Sequence, residues 1–332
     1  MKLGLIILVF LVLGGCASIE AKSFEQFAQA ARQIDQGADA VVANNEQWAV
    51  ERFRTSLREA VAGEAEPMQA ALLADQLLLE RDRVNTPFGW TAGEQPLFTT
   101  SRAFRIAVGE FNNMLIEYAQ GLHLLSTAGL TQAEYDALAQ RLNGNLSEAL
   151  GALGTLGGEN PESQILMMQL RERFGEREQA IFSTAATELF HQYLTRRQRK
   201  ELRKALQANA LMVEQFAAYG QLAMQIAALQ LHREYGERSR EMVVALAQSS
   251  NPIPKLEEVL ALNERYIVLL ASLETLYTAY GELPAAHAGL AQSVEDPQFD
   301  LGSVRQLVER GRDLQKLAQR LEDAAAAEPE SP

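Results

Sequence analysis

Long stretches with helical periodicity, separated by a few clusters of proline, constrain the fold of this chain most strongly. The prolines lie at positions 67, 87, 96, 161, 252, 254, 284, 297, 329 and 332, and alanine, leucine, glutamine and glutamate dominate between them. Few runs show the alternation typical of a strand. Because proline is tolerated in the first turn of a helix but breaks its interior, the clusters indicate helix ends. The sequence therefore predicts an all-α protein, an elongated antiparallel helical bundle of about seven to eight helices with coiled-coil-like packing.

The first predicted helix, from about Ile19 to Val61, carries the seam of a coiled coil in its early part. The two apolar positions of the heptad are filled by Phe24, Ala31, Ala38 and Asn45, and by Phe27, Ile34, Val41 and Trp48. This seam predicts a neighbouring helix, supplied either by the chain itself or by a second copy. At 1.5 Å per residue the helix would be about 65 Å long, which favours an elongated bundle.

The later helices are placed by their start and stop signals. We expect them at about residues 67–84, 99–126, from Thr131 to about residue 150, 161–249, 254–281 and 301–321. The pattern over 161–249 fits either one helix or a hairpin turning at residues 194–198. Glycines from Gly151 to Gly158 predict a hinge near 151–160, and residues 324–332 resemble a disordered tail. The bundle would then span residues 24–323.

Three apolar patterns identify the faces that we expect to be buried. The third helix presents Phe104, Val108, Phe111, Leu115, Tyr118 and Leu122. The helix that begins near Pro254 has a wide apolar face made of Leu256, Val259, Leu260, Ile267, Leu270, Leu273, Tyr277 and Tyr280. Between residues 205 and 231 only Glu214 is charged, which predicts a central bundle helix, because its glutamines would be costly in lipid. A pore-forming hairpin is the alternative for this segment.

One pentapeptide occurs almost twice. Residues 218–222 read Ala-Tyr-Gly-Gln-Leu and residues 279–283 read Ala-Tyr-Gly-Glu-Leu. The match is typical either of a duplicated helical unit or of tyrosines beside glycines where two helices cross closely. Five residues in an alanine-rich chain do not decide between these interpretations.

The sequence contains no pattern typical of a catalytic or metal site. The histidines at positions 123, 191, 232 and 287 are far apart, with no HExxH element, P-loop or EF-hand loop, so we expect each at the surface or at a boundary. We therefore predict a non-enzymatic protein with no metal, no cofactor and no catalytic residues. The formal net charge of -13 makes nucleic acid an unsuitable partner.

Five cations share one helical face in this acidic chain. They lie at i, i+3, i+4, i+7 and i+8, and they are Arg196, Arg199, Lys200, Arg203 and Lys204. This face could contact anionic lipid headgroups or an acidic partner, each cation contributing about 1 kcal/mol near an anionic surface. The alternative is a solvated face that neighbouring glutamates satisfy.

The leader predicts the location of the protein. Lys2 precedes an apolar run from Leu3 to Leu13, which is too short to span about 30 Å of hydrocarbon comfortably. The segment Leu13-Gly14-Gly15-Cys16 resembles the lipobox of bacterial lipoproteins. The resemblance covers this leader only, and it implies a signal peptide at 1–15, lipid such as palmitate on Cys16, and an anchored N-terminus at 16–23. Ala17 resembles the residue that directs such lipoproteins to the outer membrane, facing the periplasm.

These patterns together predict a lipid-anchored envelope scaffold or adaptor that binds another envelope protein through its helical faces. Because Cys16 is the only cysteine, packing alone must stabilise the bundle. The heptad begins at Phe24, so the folded body should lie close to the membrane. The leading alternative is a helical carrier of an apolar ligand or lipid. A pore-forming or membrane-remodelling protein is the third hypothesis.

Overall fold

The described part of the chain is helical. The computed structural model describes residues 2–62, 97–127, 198–296 and 298–326, single positions between residues 133 and 148, and most side chains from Ala21 onward. The helices are α1 (Lys2–Ala62), α2 (Leu97–Thr127), α3 (Gln198–Ala208), α4 (Ala210–Gln248), α5 (Pro252–Glu295) and α6 (Gly302–Ala326). The single described positions between 133 and 148 are also helical. No strand occurs in these residues, so the predicted all-α fold is confirmed.

The predicted seam of α1 is buried along its whole length. Seven of its eight positions are at most 2 % exposed, and Asn45 is 6 % exposed. Helices α2, α5 and α6 pack against α1, so the chain's own helices fill the seam. The helix begins at Lys2 and not at Ile19, because the apolar leader favours helix and no proline precedes residue 67.

Helix α2 lies antiparallel to α1. Arg105 of α2 contacts Asp39 at 2.8 Å and Glu46 at 3.1 Å, and every predicted apolar position of α2 is buried. The ring of Phe111 stacks on Tyr219 of α4, with 3.6 Å between the ring centroids. Helix α2 is thereby fixed against both α1 and α4.

Helices α3 and α4 form one run that is antiparallel to α5. Asn209 joins them with φ −98° and ψ 5°, close to helical values, so the chain bends there without reversing. Arg203 contacts Glu295, and Tyr235 contacts Asn263. The residue number therefore rises along α3–α4 by as much as it falls along α5, as expected for antiparallel helices. The chain reverses at 249–251. Of the hairpin predicted at 194–198, residues 194–197 lie outside the described residues.

The two similar pentapeptides meet where α4 crosses α5. Gly220 lies directly against the ring of Tyr280, and a Cβ at Gly281 would lie 2.7 Å from the amide nitrogen of Gln221. Each glycine thus makes room for a side chain of the other segment. The near-repeat marks a close crossing of two helices, which was one of the two interpretations of the sequence.

Helix α5 continues through Pro284 to Glu295, so the predicted end near Gly281 is wrong. An internal proline removes one backbone hydrogen bond and costs about 3 kcal/mol. Burial of Leu283, Ala286 and Leu290 around the proline offsets that cost. Helix α5 contacts every other described helix, and its hydrogen bonds to α2 hold that helix in place.

Helix α6 returns antiparallel to α5 and completes the described bundle. In the turn before α6, the backbone N–H of Gln298 donates to the Asp296 carboxylate at 2.9 Å. Arg310 of α6 contacts Glu282 of α5 at 3.3 Å. The helix ends at Ala326, beyond the expected residue 321. The predicted helix at 67–84, the hinge near 151–160 and residues 327–332 lie outside the described residues.

Candidate functional site

The basic face consists of Arg196, Arg199, Lys200, Arg203 and Lys204, and its described part lies near the first third of α1. Asn45 binds Ala227 and Glu51 binds Arg238, so α1 and α4 run parallel with an offset of 182 to 187 residues. The same offset places Arg203 at the axial level of residues 16–21, the turns of α1 that begin with Cys16. Arg203 of the basic face and Cys16, the residue for which the leader predicts lipid attachment, therefore lie at the same end of the described bundle.

The individual cations of the basic face differ in what the structure describes. Arg203 is exposed and contacts Glu295 at 2.5 Å, and Lys204 is exposed. Arg199 and Lys200 belong to α3, but their side chains lie outside the description, as does all of Arg196. The glutamate contact of Arg203 agrees with the solvated alternative at that position. Headgroup binding stays a prediction.

An apolar row with heptad spacing runs along the outside of α5. It occupies positions 253, 256, 260, 263, 267, 270, 274 and 277, separated by steps of three and four. The exposed apolar members are Ile253 (66 %), Leu256 (46 %), Leu260 (59 %), Ile267 (54 %) and Tyr277 (39 %). Asn263 and Glu274 interrupt the row. We call this row the α5 seam.

The α5 seam corrects the expectation that one wide apolar face of this helix is buried. Leu273 and Tyr280 are buried, whereas Leu256, Leu260 and Ile267 face outward. Helix α5 is apolar around most of its circumference, and the described helices cover only one side. Periodicity therefore identified the apolar residues correctly. It placed them all on one buried face, whereas they lie on two sides of the helix, one buried and one exposed.

A groove of about 400 Å³ separates the α3–α4 run from the last turns of α5. Its apolar lining comes from Leu206, Ala210, Ala288 and Ala291. Asn209 separates α3 from α4 on one side, and on the other side Pro284 lies within α5 and lacks a backbone N–H. Small alanines beside these two irregularities leave the space between the helices open.

A buried histidine and tyrosine pair lies beside the groove. His287 is 3 % exposed and lines the groove, and its Nε2 is 2.6 Å from the hydroxyl of Tyr118. Burial lowers the pKa of His287 from 6.5 to about 4 and raises the pKa of Tyr118 well above its usual value. Both side chains are therefore neutral near pH 7. The expectation of a surface or boundary histidine is wrong here, because Leu283 and Leu290 flank it on the core side.

A second polar group links α1, α2 and α5. The Tyr280 hydroxyl donates to Oδ1 of Asn112 at 2.6 Å, and Asp35 lies beside both residues. Burial, with a smaller contribution from Asp39, raises the pKa of Asp35 from 3.8 to about 6, and the Asn112 amide lowers it in part. Asp35 therefore binds its proton more tightly in the folded chain than in the unfolded chain.

We expect Asp35→Asn to change how the stability depends on pH. Asp35 stabilises the fold below about pH 4, and this contribution is lost as the pH rises through about 6. His287 acts oppositely, because its contribution is present above pH 6.5 and lost as the pH falls through about 4. Since Asp35 is partly exposed, solvent screening limits the effect of its charge. We expect the ionised carboxylate to lower the free energy of unfolding by about 1–2 kcal/mol at neutral pH.

Urea unfolding at several pH values measures this effect. Asp35→Asn should match the parent protein at pH 4 and exceed its free energy of unfolding at pH 7. Asp313→Asn, at a carboxylate paired with Lys316 on the surface of α6, provides the control and should give no such gain. An equal difference at both pH values would refute the proposed titration of Asp35.

The described residues contain no group of three or more acidic, histidine or cysteine side chains that could hold a metal ion. Among the helices of these residues, none combines the length and apolar character needed to cross a membrane. Comparison with known proteins gives no match: no family model fits the chain, and neither a curated protein nor a solved structure matches it. The candidate sites thus depend on the geometry described above.

Proposed function

We propose that the protein is a non-enzymatic adaptor of the bacterial envelope, lipid-anchored at Cys16 and binding a helix of another envelope protein along the α5 seam. The exposed heptad row on α5 carries the proposal, because this spacing matches the contact surface of a helical partner. The lipobox supports attachment to the outer membrane on the periplasmic side. Its peptidase would remove residues 1–15 before the bundle binds its partner.

The position of the α5 seam favours a protein partner over the membrane that holds the anchor. Glu295 contacts Arg203, which lies at the axial level of the anchored turn. Tyr277 and Ile253 are 18 and 42 residues from Glu295 along α5, so the seam extends from about 27 to about 63 Å away. A partner in the periplasm could reach this surface, whereas the anchoring bilayer lies at the other end.

The polar members of the α5 seam favour a helix over lipid as the occupant. Asn263 accepts a hydrogen bond from the Tyr235 hydroxyl at 2.9 Å, and Glu274 is exposed. A carboxylate in hydrocarbon is costly, whereas a polar residue within a heptad row selects the register of a helical partner. The expected partner is therefore an amphipathic helix with its own apolar heptad row.

Photo-crosslinking in cells tests this proposal. A photoreactive amino acid at Leu260 should form an adduct with one partner protein, through a segment that has apolar residues at heptad spacing. The same probe at Gln315, an exposed position of α6, is the control and should not form this adduct. Leu256→Gln with Ile267→Gln should lower the Leu260 adduct about thirtyfold, since two lost apolar contacts of about 1 kcal/mol each weaken binding by about 2 kcal/mol.

Two outcomes would contradict the adaptor. Equal adducts from Leu260 and Gln315 would show that the contact is not specific to the α5 seam. An adduct formed only with a second copy of the chain would show a self-associating protein instead. Leu256 and Ile267 are already exposed, so their replacement by glutamine should leave the helical circular dichroism spectrum unchanged.

A further inference from the structure

The α5 seam has two flanks, and the flank toward α4 is uncharged. It is formed by the residues that follow members of the seam by three positions, which are Val259, Tyr266, Leu273 and Tyr280. The ring of Tyr266 stacks on Tyr235 of α4, with 3.9 Å between the ring centroids, and the ring of Tyr280 lies against Gly220. Helix α4 therefore borders the seam on this flank.

The opposite flank of the α5 seam is acidic. Glu257 follows Ile253 by four residues and Glu264 follows Leu260 by four, so each glutamate lies beside the seam, one turn further along. Both side chains are exposed, and neither forms an ion pair with the described residues. The two glutamates are one heptad apart, about 10 Å along the helix, so one column of a partner helix can contact both.

The basic residues of α5 leave the acidic flank without a counter-charge. This helix contains one lysine and one arginine. Lys255 contacts Glu258 at 2.9 Å, and Arg265 is buried, where it donates to Asn44 of α1. Glu274, within the α5 seam itself, is also exposed and adds a third carboxylate to this surface. The exposed surface of α5 that a partner would contact is therefore apolar and negatively charged.

We propose that the partner helix on the α5 seam is basic along one flank, with lysine or arginine side chains one heptad apart that face Glu257 and Glu264. This inference rests on the proposed function and names the chemistry of its partner. Charges beside a heptad seam select the partner and its orientation, because opposite charges attract and like charges repel. Since only one flank of the seam is acidic, the pairing also fixes which side of the partner faces α4.

Two designed helical peptides test this selection on the full-length protein in phosphatidylcholine nanodiscs. Each peptide has about four heptads with leucine at both seam positions, and the flanking positions are lysine in one peptide and glutamate in the other. Fluorescence anisotropy measures their binding, and empty nanodiscs give the background. The lysine peptide should bind about tenfold more tightly at low salt. This preference should shrink at about 1 M salt, where the screening length falls to about 3 Å.

Charge-reversed variants distinguish the acidic flank from the net charge of the protein. Glu257→Lys with Glu264→Lys should reverse the preference, so that the glutamate peptide binds about tenfold more tightly than the lysine peptide. Glu214→Lys with Glu309→Lys changes the net charge equally, at exposed positions of α4 and α6 beyond the Tyr277 end of the seam. This control should keep the parent's preference. All four glutamates are exposed, so both variants should keep the parent's circular dichroism spectrum.

The possible failures of the charge selection and of the adaptor are distinguishable. If both peptides bind the parent protein equally and Leu256→Gln with Ile267→Gln weakens both, the seam binds helices without selecting their charge, and this inference is overturned while the adaptor stands. If the Glu214 and Glu309 variant also loses the preference, net charge and not the acidic flank selects the peptide, which overturns the inference as well. Binding of neither peptide would overturn helix docking on the α5 seam, and the proposed function with it.

Discussion

Gly220→Ala is expected to reduce the free energy of unfolding by about 3 kcal/mol, because the added methyl group would overlap ring carbons of Tyr280. The ring has little freedom to move away. The Tyr280 hydroxyl donates to Asn112 at 2.6 Å, and the residue is only 2 % exposed. The variant must therefore either separate α4 from α5 or break the hydrogen bond to α2.

The same substitution elsewhere on α4 provides a matched control. A Cβ at Gly236 would meet no atom within 4 Å. Alanine favours helix over glycine by about 1 kcal/mol, so Gly236→Ala should stabilise the protein by up to that amount. Chemical denaturation of the purified variants measures both effects. A loss of stability in both variants, or in neither, would contradict the close crossing at Gly220.

Arg265→Ala should also lower the free energy of unfolding by about 3 kcal/mol, because it removes one of the largest buried side chains together with its hydrogen bonds to Asn44. Arg265 is 1 % exposed, and its guanidinium donates to Oδ1 of Asn44 from Nε at 3.1 Å and from Nη2 at 2.6 Å. The guanidinium carbon also lies 5.0 Å from the ring centroid of Trp48. These contacts join α5 to α1 in the core.

Arg238 is the control, since it contacts the same tryptophan from the surface. Its guanidinium lies 5.9 Å from the Trp48 centroid and 3.1 Å from Glu51, and its side chain is 37 % exposed. Exposed ion pairs contribute little to stability, so Arg238→Ala should lower the free energy of unfolding by less than about 1 kcal/mol. Thermal unfolding of both variants compares them. An equal loss of stability in Arg265→Ala and Arg238→Ala would show that burial does not determine how much Arg265 contributes to stability.

Arg265→Met distinguishes the contribution of packing to stability from that of the charged, hydrogen-bonded guanidinium. Methionine fills part of the same volume without the guanidinium. We therefore expect the free energy of unfolding to fall by about 1–2 kcal/mol, which places this variant between the parent protein and the alanine variant. If Arg265→Met were as unstable as Arg265→Ala, the hydrogen bonds to Asn44 would outweigh the packing contribution.

The α1 seam could be predicted because heptad spacing is a local property of the sequence. The eight heptad residues between Phe24 and Trp48 point to one side of a helix wherever its neighbours come from, and the structure buries all eight. The same reasoning succeeded for α2. The source of the neighbouring helices could not be predicted, because the contacts of α1 with α5 and α6 join segments more than two hundred residues apart.

The polar pairs of the core could not be predicted for the same physical reason. The partners Tyr118 and His287 are 169 residues apart, and Asn112 and Tyr280 are 168 apart. A histidine on an apolar helical stripe between Leu283 and Leu290 was the available signal for burial. The position of its partner depends on how α2 packs against α5, and no local pattern contains that information.

Helix α5 shows where periodicity misleads. Pro284 suggested a helix end, but the packing of its neighbours outweighs the lost hydrogen bond. The apolar residues of α5 suggested one buried face, yet the described helices cover only the side that contains Leu273 and Tyr280. The candidate site on the opposite side emerges only when sequence spacing and solvent exposure are combined.

A photo-crosslinking scan along α5 in living cells tests the adaptor most directly. The probe would be placed in turn at each position from Ile253 to Tyr277 of the full-length protein. We predict adducts with one partner protein that are strongest at Ile253, Leu256, Leu260 and Ile267, with minima at the positions between them, following a repeat of about 3.5 residues. Adducts without this period, or none with another protein, would contradict binding of a partner helix along the α5 seam.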